Sequence, residues 1–399
     1  MPKVVIVGGG IGGLTAALTF NHFGWRVEVL ERASELGEIG AGIQISPNGM
    51  KVFRAIGLED EIVKDAFAPE ALEMRFGRSG KQIFEIEARR AVLERWGAPY
   101  LHLHRADLVG MLKRQLEARQ PGAVRLGAAG AAYTQSAAGA TIILEDDEEI
   151  SADLIVGADG IHSVIRTQML GDEHPDFTGN VAWRAVVPMD RLGDLAPPPT
   201  ACVWVGPNRH AVTYRLRGGE LANFVGIVEQ NEWTSESWTE RGTKEEVLSI
   251  FEGWHPAVTN MIEKADAHFR WALFDRQPLS RWVDGRVVLL GDACHPTLPF
   301  QAQGAVMAIE DAYLLAKLCS DTPQDLATAL STYFETRVAR TSRVQAASRA
   351  NAKLFHKSTL LGRAFTYGPM WMAGKIAPGA IRSRQDPFFA YDIREEPLR

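Results

Sequence analysis

The chain opens on Lys3-Val4-Val5-Ile6-Val7-Gly8-Gly9-Gly10-Ile11-Gly12-Gly13, and a second apolar run, Val27-Glu28-Val29-Leu30-Glu31, follows shortly after. Val4–Val7 is apolar at every position, the pattern of a strand buried on both faces. It runs straight into glycines. This pattern predicts strand Lys3–Val7, a tight turn, helix Gly12–Phe23 and strand Val27–Glu31, a βαβ unit. Within it, Gly8, Gly10 and Gly13 keep the G-x-G-x-x-G spacing. The first glycine permits the turn, the second lets a pyrophosphate approach the backbone, and the third lets helix and strand pack. The helix N-terminus offers free N–H groups and a partial positive charge to phosphates. Glu31 ends the second strand, where a carboxylate bonds ribose hydroxyls. Together these features predict a dinucleotide site; a glycine-rich packing turn is the plainer alternative. Nothing in the spacing separates NAD from FAD.

Outward from this unit, Ser46-Pro47-Asn48 predicts a helix start, with Ser46 as N-cap and Pro47 at the first position. Leu101–Arg119 reads as helical after its first few residues, and Asp153–Val156 as a short strand. Between about residues 180 and 270 apolar and polar residues alternate (Ala201–Val205, Ala211–Leu216, Leu221–Val228), which predicts antiparallel strands. Arg286–Leu290 returns as an apolar strand, Gly291–Gln303 as a loop and Gly304–Leu318 as a helix. From Leu326 onward the chain reads as helical and then irregular. The expected fold is α/β: a dinucleotide-type domain interrupted by a mostly antiparallel β lobe, with a helical C-terminal tail. Gly157-Ala158-Asp159-Gly160 and Gly291-Asp292 each put an aspartate beside glycines at a strand's carboxyl end, where open α/β sheets bind ligands. A single NAD site needs neither. An extended cofactor lying across the sheet gives Asp292 a ribityl hydroxyl to hold. Taken alone, an aspartate in such a turn is more often a turn-former.

Composition narrows the class. The 399 residues carry 43 basic and 49 acidic side chains, a net charge of −6 with no basic stripe, which argues against a nucleic-acid partner. No apolar run approaches the ~20 residues of a membrane-spanning helix, and the N-terminus does not read as a signal peptide. The three cysteines, Cys202, Cys294 and Cys319, are far apart, so neither a disulfide framework nor a metal site is expected, and the cytoplasm is the expected compartment.

Taken together, these residues resemble the class A flavoprotein aromatic hydroxylases, the FAD-dependent monooxygenases of the p-hydroxybenzoate hydroxylase class. The resemblance rests on Gly8–Gly13 with Glu31-Arg32, on Gly157-Ala158-Asp159-Gly160, and on Gly291-Asp292-Ala293-Cys294-His295-Pro296. Gln303-Gly304-Ala305 and Ile309-Glu310-Asp311-Ala312 follow the last of these. It extends from the first strand to about residue 345. Within the class, Gly40-Ala41-Gly42-Ile43-Gln44 and Gly206–Glu220 look closest to salicylate, 3-hydroxybenzoate and 6-hydroxynicotinate hydroxylases. The fold implied is a discontinuous Rossmann-like FAD-binding domain (1–75, 100–178 and 273–345), a substrate domain (76–99 and 179–272) and a C-terminal tail (346–399).

The resemblance implies that Gly8, Gly10, Gly13, Glu31, Arg32, Arg105, Asp159, Asp292, Gly304 and Ala305 bind the cofactor. Glu31 would hold the adenosine ribose and Asp292 the ribityl–pyrophosphate region. It also implies NADH or NADPH as a transient co-substrate, because no second glycine fingerprint is present, and dioxygen as the oxidant, acting through a flavin C4a-hydroperoxide. The helix starting at Gly304 has a physical role of its own. Its N-terminal amides can face the flavin edge where negative charge gathers on reduction, an interaction of typically 0.3–1 kcal/mol and up to ~2 when partly buried.

The ring to be hydroxylated needs activation. A phenol of pKa ~10 is about 0.1% ionised at pH 7, and bringing its pKa to 7 takes ~4 kcal/mol, whereas one neutral hydrogen bond contributes about 1 kcal/mol. A polar chain or a charged partner is therefore required. In Gly206–Tyr214 the residues His210, Val212 and Tyr214 share one strand face. The Cα atoms of His210 and Tyr214 are expected ~13 Å apart, so both side chains reach one hydroxyl only if they lean inward or a bulge or water shortens the gap. By resemblance this His and Tyr deprotonate the phenol; a packed structural role is the alternative. Arg184, Gln44, Gln301, Gln303 and Phe300 are further candidates for substrate contact, and His295 reads as a support of its loop. Hydroxynicotinate hydroxylases carry histidines where this chain has Gln44 and Phe300, and 3-hydroxybenzoate hydroxylases a glutamine near Pro299, so the pocket copies neither.

The expected function is hydroxylation of a small phenolic aromatic acid. Alternatives are a hydroxylase of a heterocyclic or fused-ring aromatic, and an FAD-dependent oxidase or dehydrogenase acting by hydride abstraction. The aromatic and Met-rich stretch Ala364–Ala373 is expected to pack on its own domain or on a second subunit, so a homodimer is an expected assembly.

Overall fold

The structure, a computed structural model, describes residues 1–37, 42–173, 175–230 and 240–396. Gly40 and Ala41 of the resemblance lie outside the described residues. The opening residues form strand Lys3–Val7, helix Ile11–His22 and strand Arg26–Glu31. The first strand sits in the middle of a six-stranded sheet, between Leu154–Gly157 and Arg26–Glu31 and parallel to both. Val4, Val5 and Ile6 are fully buried, because helices and a second layer cover both faces. Val287–Leu289 and Val124–Leu126 extend the sheet on its two sides, and Val283–Asp284 closes one edge antiparallel. A three-stranded antiparallel sheet, Gly130–Gln135, Ala140–Leu144 and Glu149–Ala152, accompanies it.

Helix Gly304–Asp321 packs along helix Ile11–His22. The approach depends on Gly12: a Cβ there would stand 2.9 Å from Leu290 and 3.0 Å from Ala308. Because these two helices touch near their beginnings, their N-termini face the same region.

The alternating stretch forms an eight-stranded sheet in the order Glu240–Gly242, His268–Asp275, Asp176–Pro188, Leu221–Glu229, Arg209–Leu216, Ala201–Gly206, Ala71–Phe76 and Gln82–Glu87. All its pairings are antiparallel except Ala201–Gly206 with Ala71–Phe76. Period two decides which side chain goes where. Val181, Trp183, Ala185 and Val187 point to one face and pack with helices Lys244–Ile250 and Pro256–Lys264. Ala182 points to the other and joins Val205, Ile227, Trp271 and Phe300. A ribbon of Gly42–Ile45 paired with Leu101–His104 bridges the two sheets, and helix Arg105–Arg119 follows it directly.

The tail is more helical than expected. Leu326–Phe355, Leu360–Ile376, Pro378–Ser383 and Asp386–Phe389 are helices. Helix Leu360–Ile376 lies on the edge strand Gln82–Glu87, burying Tyr367 and Met370, while Leu361, Phe365 and Ile376 stay exposed. The stretch thus packs on its own chain with one face and leaves another open. Ser46 caps helix Pro47–Ala55 in position only; its hydroxyl donates to Asn48 Oδ1 instead of serving the helix backbone.

Candidate active site

One cavity of about 660 Å³ runs from the glycine turn to the eight-stranded sheet. At one end it is lined by Gly10, Gly12, Arg105, Asp292, Gly304 and Ala305. At the other it is lined by Arg184, His210, Val212, Tyr214, Trp271 and Phe300. Gln44 and Gln301 also face it, whereas Gly8, Gly13, Glu31, Arg32, Asp159 and Gln303 are not among its lining residues.

Backbone geometry shapes the glycine end. Gly8 has φ +111°, and a Cβ there would meet the Ala158 carbonyl oxygen at 2.3 Å; at Gly13 it would meet the Gly8 carbonyl oxygen at 2.0 Å. Nothing lies within 4 Å of where a Cβ of Gly10 would stand, so that backbone faces open space. Glu31 fixes the turn from outside: its Oε2 accepts from the Gly9 N–H at 2.7 Å and its Oε1 from the Ala33 N–H at 2.8 Å. Arg32 is exposed. Asp159 behaves as a helix cap, its Oδ2 accepting from the Val164 N–H at 2.8 Å, while its buried Oδ1 has no partner among the described residues.

Asp292 opens into the cavity, enclosed by protein walls. That enclosure pushes its carboxyl up, against the pull of His295 and Arg105. The loop that presents it is clamped from behind. Asp311 accepts from the Gly291 N–H at 3.1 Å and is bonded to His295 Nε2 at 2.5 Å, so His295 does support its loop. Arg337 donates to Asp311 at 2.6 Å and to Glu310 at 2.8 Å, and Arg340 reaches Glu310 at 3.0 Å. Burial pushes both carboxyls up, but the two arginines at Glu310, and His295 with Arg337 at Asp311, outweigh it and hold them below the usual range. Cys294, His295 and Asp311 stand together, yet Asp311 is already engaged by His295 and Arg337. Gln303 belongs to the same interior: its Oε1 accepts from Asn48 at 3.0 Å and its Nε2 donates to Ser46 at 2.9 Å. Its amide is spent on the core, which keeps it out of the cavity.

At the sheet end, His210, Val212 and Tyr214 share the cavity face, as period two requires, while Ala211 and Thr213 turn the other way. His210 and Tyr214 keep different company. Tyr214 lies against Gly42, where a Cβ would stand 2.4 Å from its ring, and 4.8 Å from the His102 ring. Burial pushes its phenol up, and Arg184 pulls it back. Arg184 stacks on Trp271 with its guanidinium 3.9 Å from the ring centre. His210 contacts Phe300 and Phe355, and burial with the neighbouring His356 holds it well below the usual imidazole range. His102 is also buried, which takes its pKa down to about 3.

Several lining residues carry no signal in linear sequence. Tyr100 donates to Gln44 Oε1 at 2.6 Å, a pairing created by the ribbon register. The tail supplies Arg384, Gln385, Phe388 and Phe389, and Gln385 Oε1 lies 3.4 Å from Gln301 Nε2. Their only foreshadowing is the aromatic pair Phe388-Phe389.

A parallel sheet with a glycine turn, two helix N-termini beside one cavity and an aromatic-lined far end form a site that can hold a dinucleotide cofactor next to a small ring. The chain belongs to the FAD binding domain family, which matches residues 1–348. It is 38% identical over 355 residues, 89% of each chain, to a 3-amino-4-hydroxybenzoate 2-monooxygenase of Streptomyces platensis. It is 35% identical to a 6-hydroxynicotinate 3-monooxygenase of Bordetella bronchiseptica, covering all of this chain and 97% of that one. Among solved structures it matches Klebsiella pneumoniae HpxO complexed with FAD and uric acid, with TM-score 0.84 and 27% identity over 100% and 98% of the two chains. The protein is an FAD-dependent aromatic monooxygenase. The residues present fit that cofactor: the bare Gly10 backbone suits a pyrophosphate, and the cavity-facing Asp292 carboxylate suits a hydroxyl-bearing ribityl chain.

Proposed function

We propose that this enzyme hydroxylates a small phenolic aromatic acid, using NADH or NADPH as reductant and dioxygen as oxidant. The observation that carries the reading is the single cavity joining Gly10, Asp292 and Gly304 to a slot bearing His210, Tyr214 and Arg184. Bound FAD supplies the redox chemistry and the activated oxygen. The protein's own part is to hold the cofactor, orient the ring, ionise it and keep water out. Asp292, Arg105, the Gly10 backbone and the amides at Gly304 and Ala305 hold the cofactor. Glu31, Gly8 and Gly13 would act on it through the shape of the turn, and Asp159 through the helix it caps, while Arg32 is exposed beside Glu31. Val212, Leu298 and Phe300 form apolar walls for a ring. His210, kept neutral by burial, accepts the phenol proton, and Tyr214, four residues along the same regular strand, reaches the oxygen through a bridging water. Arg184, next to Tyr214, supplies positive charge to the phenolate, and Gln44 and Gln301 offer polar contacts to a carboxylate.

We assign 1–75, 100–178 and 273–345 to the FAD-binding domain and 76–99 with 179–272 to the substrate domain, with the strand segments 71–75, 176–178 and 273–275 completing the eight-stranded sheet of the latter. Three free, buried cysteines favour a reducing cytoplasm. The open apolar side chains of helix Leu360–Ile376 favour a homodimer, which sedimentation tests. Among the described residues no helix is long and apolar enough to cross a membrane.

The test is NADH and NADPH oxidation by flavin-loaded enzyme with salicylate, 3-hydroxybenzoate, 3-amino-4-hydroxybenzoate and 6-hydroxynicotinate, counting peroxide against hydroxylated product. Aromatic-stimulated oxidation with product exceeding peroxide is expected. Flavin reduction by the aromatic itself, without nicotinamide, would instead identify a dehydrogenase. The heterocyclic acid is included because one full-length relative is a hydroxynicotinate monooxygenase; turnover of that acid alone would shift the substrate class from phenols to heterocycles.

A further inference from the structure

His210 does not end in the cavity wall. Its Nδ1 lies 2.7 Å from Nε2 of His356, the residue that closes helix Leu326–Phe355, and His356 Nδ1 lies 2.9 Å from Oε1 of Glu229, at the end of strand Leu221–Glu229. His210 is 1% exposed and His356 6%, whereas the Glu229 side chain is 47% exposed. The three groups thus form a line from cavity to solvent. We propose that His356 and Glu229 are positioning and relay residues that fix His210 as a base and carry the substrate's hydroxyl proton to the surface. This rests on the hydroxylase reading above.

The direction of the line follows from donor and acceptor chemistry. An ionised carboxylate only accepts, so His356 carries its proton on Nδ1. Its Nε2 is then an acceptor, and His210 must donate to it from Nδ1. That leaves His210 Nε2 with a lone pair, and no hydrogen-bond partner for it is found among the described residues. A neutral histidine of the opposite tautomer would present an N–H and could not serve as base. Glu229 therefore selects the reactive form of a ring two steps away.

The transfer balances. The substrate O–H bond breaks, its electron pair stays on the phenolate oxygen, and the proton forms a bond to His210 Nε2. The Nδ1 proton of His210 passes to His356 Nε2, and the Nδ1 proton of His356 passes to the Glu229 carboxylate and on to water. Return of a proton along the same path to the product's phenolate restores the starting tautomers. No oxidant or reductant enters these steps. Burial lowers His356 and Glu229 raises it again, while burial and His356 lower His210, so the proton does not rest on the inner ring. Among the described residues the other rings against His210 are the uncharged ones of Phe300 and Phe355, and its cross-strand neighbours are Val205 and Ile227. Of the cationic neighbours in sequence, Arg209 is turned toward the Pro207 and Ile250 carbonyls, and no ion pair or hydrogen bond of the Lys357 side chain is found among the described residues.

The experiment uses flavin-loaded enzyme, wild type and Glu229→Gln and His356→Ala variants, with the same four aromatic acids. Stopped-flow absorbance reads ionisation of the bound hydroxyl, and turnover is measured across pH. Glu229→Gln lies at a half-exposed position and keeps an oxygen for His356, so it preserves the fold. It should slow ionisation at least tenfold with little change in KM. It should also move the acid limb of the profile to lower pH, because the charge that favours protonated His356 is gone. His356→Ala should slow ionisation more, and added imidazole should restore part of the rate. Wild-type turnover with both variants unchanged in rate and pH profile overturns the relay alone. A wild type that hydroxylates none of the acids overturns the functional reading and the relay with it.

Discussion

Tyr214 and His210 show how far a residue's role follows from its own strand. Their common face was legible because side chains alternate along a strand whatever the tertiary context. Their partners were not, since His102, Gly42 and His356 come from distant segments with no spacing to announce them. The glycine turn was legible for the opposite reason, since it meets a local demand of the backbone; Glu31, expected at a ribose, has its carboxylate on the Gly9 and Ala33 N–H groups. Gln303 shows the converse, a loop glutamine whose amide the core absorbs through Asn48 and Ser46. If His210 is the base, His210→Ala should lower the hydroxylation rate by on the order of a hundredfold or more, the usual worth of a positioned acid–base group. Tyr214→Phe removes one hydrogen bond, about 1 kcal/mol, and should cost roughly five- to tenfold with more peroxide released. Steady-state turnover with product counting checks both. Unchanged rate and coupling in the two variants would remove these residues from the chemistry.

At the scale of elements, helix Gly304–Asp321 contributes in two directions. Its N-terminus faces the cavity, and its Asp311 holds the Asp292 loop through Gly291 and His295, while Glu310 beside it pairs with Arg337 and Arg340. The two carboxylates were visible in the sequence, but their partner Arg337 lies on the next long helix, and only packing brings it there. Arg337→Met should destabilise the protein by about 3–5 kcal/mol, because it leaves two buried carboxylates with Arg340 and His295 alone to balance them; thermal unfolding of the flavin-loaded protein reads this. Flavin content should fall as well, since the loop bearing Asp292 loses its clamp. The sign of the pH effect follows from the lowered carboxyls. Their folded-state values lie below the unfolded ones, so the cluster's contribution is complete above the ordinary carboxylate range and is lost as pH falls through it. Wild-type stability should therefore drop steeply below about pH 4, and Arg337→Met should flatten that drop. A variant with wild-type melting temperature and acid sensitivity would show the cluster to be incidental.

For the whole molecule, the α/β class and the interrupted domain were readable because parallel and antiparallel strands carry different hydrophobic periods. The continuity of the cavity was not, as it depends on how the ribbon, the two sheets and the tail meet. Arg384, Gln385 and Phe388 close it from a tail whose composition spoke only of packing. A cavity that joins a cofactor cradle to an aromatic slot makes one demand above the others: oxygen from the gas must end in the ring. Turnover under ¹⁸O-labelled dioxygen, followed by mass spectrometry of the aromatic product, tests this most directly. One labelled oxygen atom per product molecule is predicted. Product carrying oxygen from water, or nicotinamide oxidation whose dioxygen emerges entirely as peroxide with each aromatic acid, would contradict it.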